Sequence, residues 1–467
     1  MENTFTHPPD MGQPPKLTKS LRQRHVTMIS IGGIIGGGLF VNSMVYISEM
    51  GPAVIASYAL TGLMVLIVMR ALGEMAMARP GIGSCTEYVR LGLGDLAGFT
   101  TGYLYWYFWV VVVAYEAIVG AKIIHEDWLP GIPAWTIGLT LAAVLTGSNL
   151  LSTRSYGEFE FWFSSIKVAA IVVFIIIAAS FALGLNPAGH PTFDYLWNDG
   201  GFAPKGWPAV LVGVVSLVFT LVGAEITTVA AAESNAGEKA IANLTTSLII
   251  RMLLFYVLSI TLIMCVVPWS EVAGQTGFRS PFTLALVKVG IPYAPTVMDA
   301  IIVVAVLSCL NSGIYVGSRV LFGLAGRGDA PAFLRKVDKR GVPSAAIILG
   351  AAVSLGCVAL DAFFPKDYYA FLLNASGALM LFVYIAVAAA QILLRGKTPP
   401  EKLQVKAWLH PWAGLAAVGG MLAVLVAMAL TPARQPEFTA STVLLVVIVA
   451  AYFVFRRGRS KVTAPAE

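Results

Sequence analysis

Four ionisable side chains interrupt long apolar runs in this sequence, and each could do chemistry that the run itself cannot. Lys167 falls deep in FEFWFSSIKVAAIVVF, Glu225 follows a glycine in FTLVGAEITT, Glu116 lies in YWYFWVVVVAYEAIVGA, and Glu74 comes late in the run that begins near Ala53. If these runs cross a bilayer, a charge near its centre costs about 2.5–3.5 kcal/mol on insertion scales and is kept for a purpose. A lysine withdrawn from water can release and rebind a proton as its surroundings change; the alternative is a permanent ammonium that braces helix-end carbonyls. Lys167 is too deep for an easy snorkel to the nearer face, which points to proton coupling or site bracing. Glu225 can accept a substrate amino group, stabilise an unwound backbone or titrate. Glu116, beside Tyr115, fits either a substrate contact or a helix-packing hydrogen bond. Glu74 is close enough to the end of its run for a loop or gate salt bridge, and Asp299 and Arg319, near opposite ends of one run, read as interfacial.

The second chemical feature is backbone. TMISIGGIIGGGLFVNS, residues 27–43, gathers Gly32, Gly33, Gly36, Gly37 and Gly38. Each glycine costs up to about 1 kcal/mol relative to alanine in a helix, so this cluster predicts an unwound stretch. Free N–H and C=O groups at membrane depth are tolerated only where the backbone lines a cavity. The half-helix beyond such a break aims its N–H groups at the site and suits an anionic carboxylate. Close packing through the Gly32–Gly36 pair is the competing account. A matching break is expected in FTLVGAEITT, where Gly223 and Glu225 sit in mid-run and Phe219 is placed to cap a bound substrate. Breaks in the first and sixth runs, five helices apart, are the pattern of two inverted five-helix repeats.

The elements that position these groups are membrane helices. The composition is 57% hydrophobic and 12% charged, and the mean hydropathy is +0.79, too little polar surface to wrap a soluble chain of 467 residues. Apolar runs of roughly 17 to 28 residues, each long enough for a hydrocarbon core of about 30 Å, begin near Val26, Ala53, Gly98, Pro133, Phe159, Trp207, Ile241, Ala294, Ser344, Tyr368, His410 and Thr439. They predict an all-α polytopic membrane protein of about twelve spans, with Pro and Gly breaks at GIP, LNPAGHP, GWP and RGVP. The net charge of +6 falls mostly on alternate loops that share a side with both termini, while Lys122, Lys205, Arg279, Lys288, Lys366 and Arg434 face the other way. By the positive-inside rule both termini are cytoplasmic. Trp128, Trp135, Trp197, Trp207 and Trp269 cluster at the outer ends, as an interfacial belt does. A polar, basic N-terminus with no small-residue cleavage pattern makes the first span its own insertion signal. Cys85, Cys265, Cys309 and Cys357 show no CxxC spacing and the histidines no ligand motif, so neither a metal nor any cofactor is expected. GLGDLAG joins two membrane runs and follows no strand, which sets aside a nucleotide loop.

RHVTMISIGGIIGGGLFV, GSNLLSTRSYGEFEFWFSSIKV, GAEITTVAAAES and SCLNSGIYVGSRVLFGLAGRGDAP together resemble the amino acid–polyamine–organocation superfamily. More narrowly they are similar to its bacterial amino acid transporter family, and within it to the γ-aminobutyrate (GABA) permeases. The resemblance runs over roughly residues 20 to 455. It implies two inverted five-helix repeats plus two further helices, the LeuT-like arrangement, working by alternating access as a secondary active amino acid importer of the inner membrane, driven by protons. The corresponding division is a tail over 1–25, repeats over 26–200 and 201–396, helices 11 and 12 over 397–457 and a tail over 458–467. It further implies that the backbone around Ile34 and Gly36, Gly37 and Gly38 holds the substrate's ends, that Phe219, Val222 and Gly223 close over it, and that Lys167 stands where sodium-coupled relatives bind a cation. Gly37 replaces the hydroxyl or alanine of many relatives, which enlarges the pocket.

Other functions fit less well. A channel needs a continuous polar lining, an enzyme a nucleophile or metal cluster, and a sensor a cytoplasmic domain, and none is legible. The expected partners are a small amino acid, protons and lipid, with no nucleic acid; the oligomeric state is open. A permease for a neutral or aromatic α-amino acid, or an exchanger, is the alternative.

Overall fold

In the computed structural model, which describes residues 23–79, 82, 84–151, 153–185, 192–232, 238–275, 280–364 and 368–462, the regular elements are all helical. Span 1 is made of α1 (Gln23–Ile34), α2 (Gly37–Phe40) and α3 (Ser43–Met50), and span 2 is α4 (Val54–Ala78). A short surface helix, α5 (Cys85–Leu93), leads into span 3, α6 (Asp95–Asp127). Spans 4 and 5 are α7 (Ala134–Asn149) and α8 (Thr153–Ala182). Span 6 is broken into α9 (Trp207–Leu221) and α10 (Ile226–Ala232), and span 7 is α11 (Glu238–Val266). Two short helices, α12 (Trp269–Ala273) and α13 (Pro281–Val289), precede span 8, α14 (Ala294–Gly326). Spans 9 to 12 are α15 (Ser344–Leu360), α16 (Tyr368–Arg395), α17 (Trp412–Leu430) and α18 (Gln435–Val462). Among the described residues eight helical stretches are long and apolar enough to cross a bilayer unaided, and the shorter apolar helices Ile250–Val266 and Ser344–Leu360 belong to spans 7 and 9.

Pro and Gly mark the expected stops. Gly206 at φ 80° precedes Trp207 and Pro208, so span 6 opens with proline where its missing N–H does no harm. The LNPAGHP turn lies almost wholly outside the described residues. Span 12 stays helical to Val462, past the expected bound at 457.

Spans 3 and 6 are the most enclosed: 83% of each apolar window is buried, against 17% for span 12 and 28% for span 11, which pack on the outside. Spans 8, 4, 10 and 9 pack most closely on span 3, and spans 1, 5, 6, 8 and 10 carry the polar side chains described below. Arg319 corrects its interfacial reading. It is 7% exposed, with its guanidinium 4.1 Å over the Tyr315 ring, and Tyr315 stacks on Tyr156 of span 5 at 4.3 Å. Because one aromatic face accommodates the cation, charge alone misjudged its depth.

Candidate functional site

A helix broken inside a membrane must place its freed backbone groups somewhere, and at the span 1 break each destination named below is a side chain from another span. The helix of span 1 stops at Ile34, Ile35 and Gly36 leave it, and Gly36 is extended at φ −137° and ψ −154°. The Ile34 carbonyl accepts from the Tyr256 hydroxyl of span 7 at 2.9 Å. The Ile35 carbonyl accepts from Lys167 Nζ of span 5, also at 2.9 Å. The Gly33 carbonyl accepts a long bond from the Cys309 thiol of span 8. The Gly37 N–H, first of the next half-helix, donates to both carboxylate oxygens of Glu116 on span 3, at 3.2 and 3.0 Å.

This shortens the unwound stretch that the glycine count predicted, because Gly33, Gly37 and Gly38 stay helical. Their lack of side chains serves close approach instead. A Cβ on Gly37 would lie 3.1 Å from Glu116 Oε2, one on Gly36 would overlap Glu116 and Cys309, and one on Gly38 would come within 3.2 Å of the Thr220 backbone. The N–H group expected to be bare for a substrate carboxylate is already occupied by Glu116.

Span 6 breaks beside it. Val222 turns extended at ψ 147° and Gly223 takes φ 128°, a conformation that favours glycine. A Cβ there would stand 2.8 Å from the Gly33 carbonyl oxygen, so the two breaks touch backbone to backbone. Glu225 caps this break. Its Oε2 accepts from the Gly223 N–H at 3.1 Å and from the Tyr384 hydroxyl of span 10 at 3.0 Å, and its Oε1 accepts from the Tyr105 hydroxyl of span 3 at 3.2 Å. A Ser30–Thr227 hydroxyl bond of 2.8 Å ties α1 and α10 together.

Between the breaks lies a small cavity, lined in part by Gly33, Ile34, Gly38, Glu116, Phe219, Thr220, Val222 and Cys309. Phe219 roofs it, edge-on to Tyr115 at 5.0 Å and to Phe108 at 5.9 Å. Of the expected site residues, Ile34, Gly38, Glu116, Phe219 and Val222 meet at this cavity. Gly36 and Gly37 stand behind Glu116, Gly223 backs onto span 1, and Glu225 is turned to the cap. Lys167 lies across the break, on the Ile35 carbonyl and on Ser308 Oγ at 2.8 Å. Glu74 is held at the inner end of span 2 by Gln391 at 2.7 Å and Arg395 at 3.1 Å, both from span 10.

Sequence reasoning passed over Glu160, which is fully buried and bonds to Ser308. It precedes Lys167 by seven residues, two helical turns on the same face, so the spacing carried the signal. Thr220, Tyr256, Ser308 and Cys309 are ordinary residues in apolar runs, and nothing in their spacing marked them.

Two helices broken at one depth, sealed by buried side chains and enclosing a small polar-edged cavity, define a membrane transporter of the inverted-repeat class. The Amino acid permease family's sequence model matches residues 25–462, and the chain belongs to that family. It is 42% identical over 447 residues to a Gamma-aminobutyric acid permease of Bacillus subtilis, covering 95% of this chain and 94% of the relative. It is 40% identical over 455 residues to a Gamma-aminobutyric acid permease of Escherichia coli, covering 96% and 97%. Among solved structures, a manganese transporter of Eremococcus coleocola shares the fold with a TM-score of 0.58 at 12% identity, over 93% of this chain and 94% of that one.

Proposed function

We propose that this amino acid permease carries GABA or a related small amino acid inward across the inner membrane, coupled to protons, with both termini cytoplasmic. The observation that carries the reading is the pairing of one buried acid and one buried lysine on the same backbone break: Glu116 on the Gly37 N–H and Lys167 on the Ile35 carbonyl. In this reading the substrate enters the cavity between Ile34, Phe219 and Val222 with its ammonium against Glu116, the acid in the lining. The substrate's carboxylate turns to the Gly38 and Thr220 side of the cavity. A γ-amino acid holds its two charges further apart than an α-amino acid, so the cavity must take the longer molecule between Glu116 and the Gly38 side. Phe219 and Val222 then close the outer side.

Proton coupling is supported by the place of Lys167. As an ammonium it bonds the Ile35 carbonyl; as a neutral amine it holds that carbonyl less strongly and frees the span 1 break to move. A sodium ion beside a lysine ammonium would be repelled. The basic side of the chain supports cytoplasmic termini, and the repeats of this reading run over 26–200 and 201–396.

The test is uptake of labelled GABA, phenylalanine, proline, alanine and lysine into sodium-free proteoliposomes with an imposed inward proton gradient. Gradient-driven GABA uptake in preference to the others supports the reading. Preference for an α-amino acid would reassign the substrate, and uptake that needs only internal amino acid would make the protein an exchanger.

A further inference from the structure

Glu160 is a carboxyl sealed in the protein interior that the reading above does not use. Its Oε1 accepts from the Ser164 hydroxyl of its own helix at 3.2 Å and from the Ser308 hydroxyl of span 8. Ser308 in turn accepts from Lys167 Nζ at 2.8 Å. The three groups therefore form one directed chain, in which Nζ donates to Oγ and Oγ donates to the carboxylate. Glu160 Oε2 is buried and makes no hydrogen bond of ordinary geometry among the described residues, the Asn311 amide being its polar neighbour, and the proton that Ser308 gives arrives on Oε1.

The chain also has a direction across the membrane. Span 5 begins on the side that carries the termini, and Glu160 lies two turns nearer that side than Lys167, about 10 Å along the helix. The seam between spans 5 and 8 continues polar beyond it. Tyr156 Oη pairs with Ser312 Oγ at 3.1 Å, and Asn311 accepts from Asn149 of span 4 at 2.7 Å. The stacked Tyr156 and Tyr315 rings and Arg319 follow.

We propose that Glu160 is the proton acceptor for Lys167, receiving the proton through the Ser308 hydroxyl and releasing it along the span 5–span 8 seam toward the side of the termini. The ammonium gives one proton to Ser308 Oγ as Ser308 gives its own to Glu160. The products are a neutral amine, an unchanged hydroxyl and a carboxylic acid, with no net charge created. The titratable or charged groups that face Glu160 are Tyr156 and Lys167 on span 5 and Cys309 on span 8. Tyr315 and Arg319 lie a step further along span 8, and Glu158 pairs with Arg24 and His25 at the inner end of span 1. This inference rests on Lys167 carrying the coupled proton.

The experiment compares the full-length protein with Glu160→Gln and Ser308→Ala in proteoliposomes, reading proton-gradient-driven GABA uptake, its dependence on internal pH, and GABA affinity by calorimetry in detergent. Loss of the relay lowers gradient-driven uptake about tenfold or more and flattens the internal-pH profile, with Kd moved less than about twofold. Gradient-driven uptake at the wild-type level in Glu160→Gln overturns the relay and leaves the proton reading standing. Absence of any gradient response in the unaltered protein removes both. A parallel loss of affinity and uptake with an unchanged pH profile shows a structural role and also overturns the relay. Should Glu160→Gln fail to fold, Ser308→Ala decides, because it keeps both charged groups and breaks only the link; wild-type coupling there overturns the proposal.

Discussion

Glu116 changes what the glycine run is for. The glycines predicted a bare backbone, yet at Gly36 and Gly37 they clear space for a carboxylate to reach the Gly37 N–H. Gly37→Ala should therefore displace Glu116 and weaken substrate affinity about tenfold or more, measured by calorimetry, while the chain still folds. Gly223→Ala is predicted to be more severe. Its φ of 128° strains any side chain, and the new Cβ would press the Gly33 carbonyl, so both breaks shift and thermal stability falls by about 1–3 kcal/mol. Glu225→Ala leaves the Gly223 N–H and the Tyr105 and Tyr384 hydroxyls without their acceptor, at about 1–3 kcal/mol for each buried group left unmade. A drop in detergent melting temperature checks it, and an unchanged Tm would show that the cap is dispensable. At this scale the sequence was legible where a charge interrupted an apolar run, as at Lys167, Glu116 and Glu225. It was illegible where the partner was neutral: the residues that meet Lys167 and Ile34 are Ser308 and Tyr256, 141 and 222 positions away.

Among the elements, the breaks in spans 1 and 6 were readable from glycine density and from the acid beside Gly223. Their length was not, because the neighbours that satisfy the Ile34 and Ile35 carbonyls decide where the helix can stop. The connection into span 9 offers a separate test outside the membrane. Asp338 Oδ1 accepts from the backbone N–H groups of Arg340 and Val342 at 2.9 and 3.0 Å, fixing the turn before Ser344. Asp338 is exposed; its slight desolvation works against the charged form, but the Val342 and Arg340 N–H groups win and hold the carboxyl below the ordinary aspartate range. A lowered folded value means that this contribution is present above the ordinary pKa of about 3.9 and is lost as pH falls through the lowered one. Asp338→Asn should therefore lower the Tm at neutral pH and narrow its fall toward acid; equal acid slopes for the two proteins would contradict the assignment.

For the molecule as a whole, twelve spans followed from run length alone, and their peripheral or central rank did not, since spans 3 and 12 are both strongly apolar while only span 3 is buried. Cations on the side opposite the termini pair with acids: Lys122 with Asp361, Arg434 with Glu49 and Lys288 with Glu271. Spans 1, 3, 5, 6 and 8 bring a cavity and a lysine to one backbone break. In the proposed reading, that arrangement makes proton and amino acid movements parts of a single step, as coupling through a shared two-state element requires. The direct measurement is to add GABA outside sodium-free proteoliposomes loaded with a pH-sensitive dye and to follow internal pH together with labelled GABA entry. The account predicts internal acidification that tracks GABA entry in the unaltered protein and disappears in Lys167→Ala. GABA entry with no acidification, or equal acidification in Lys167→Ala, would contradict it.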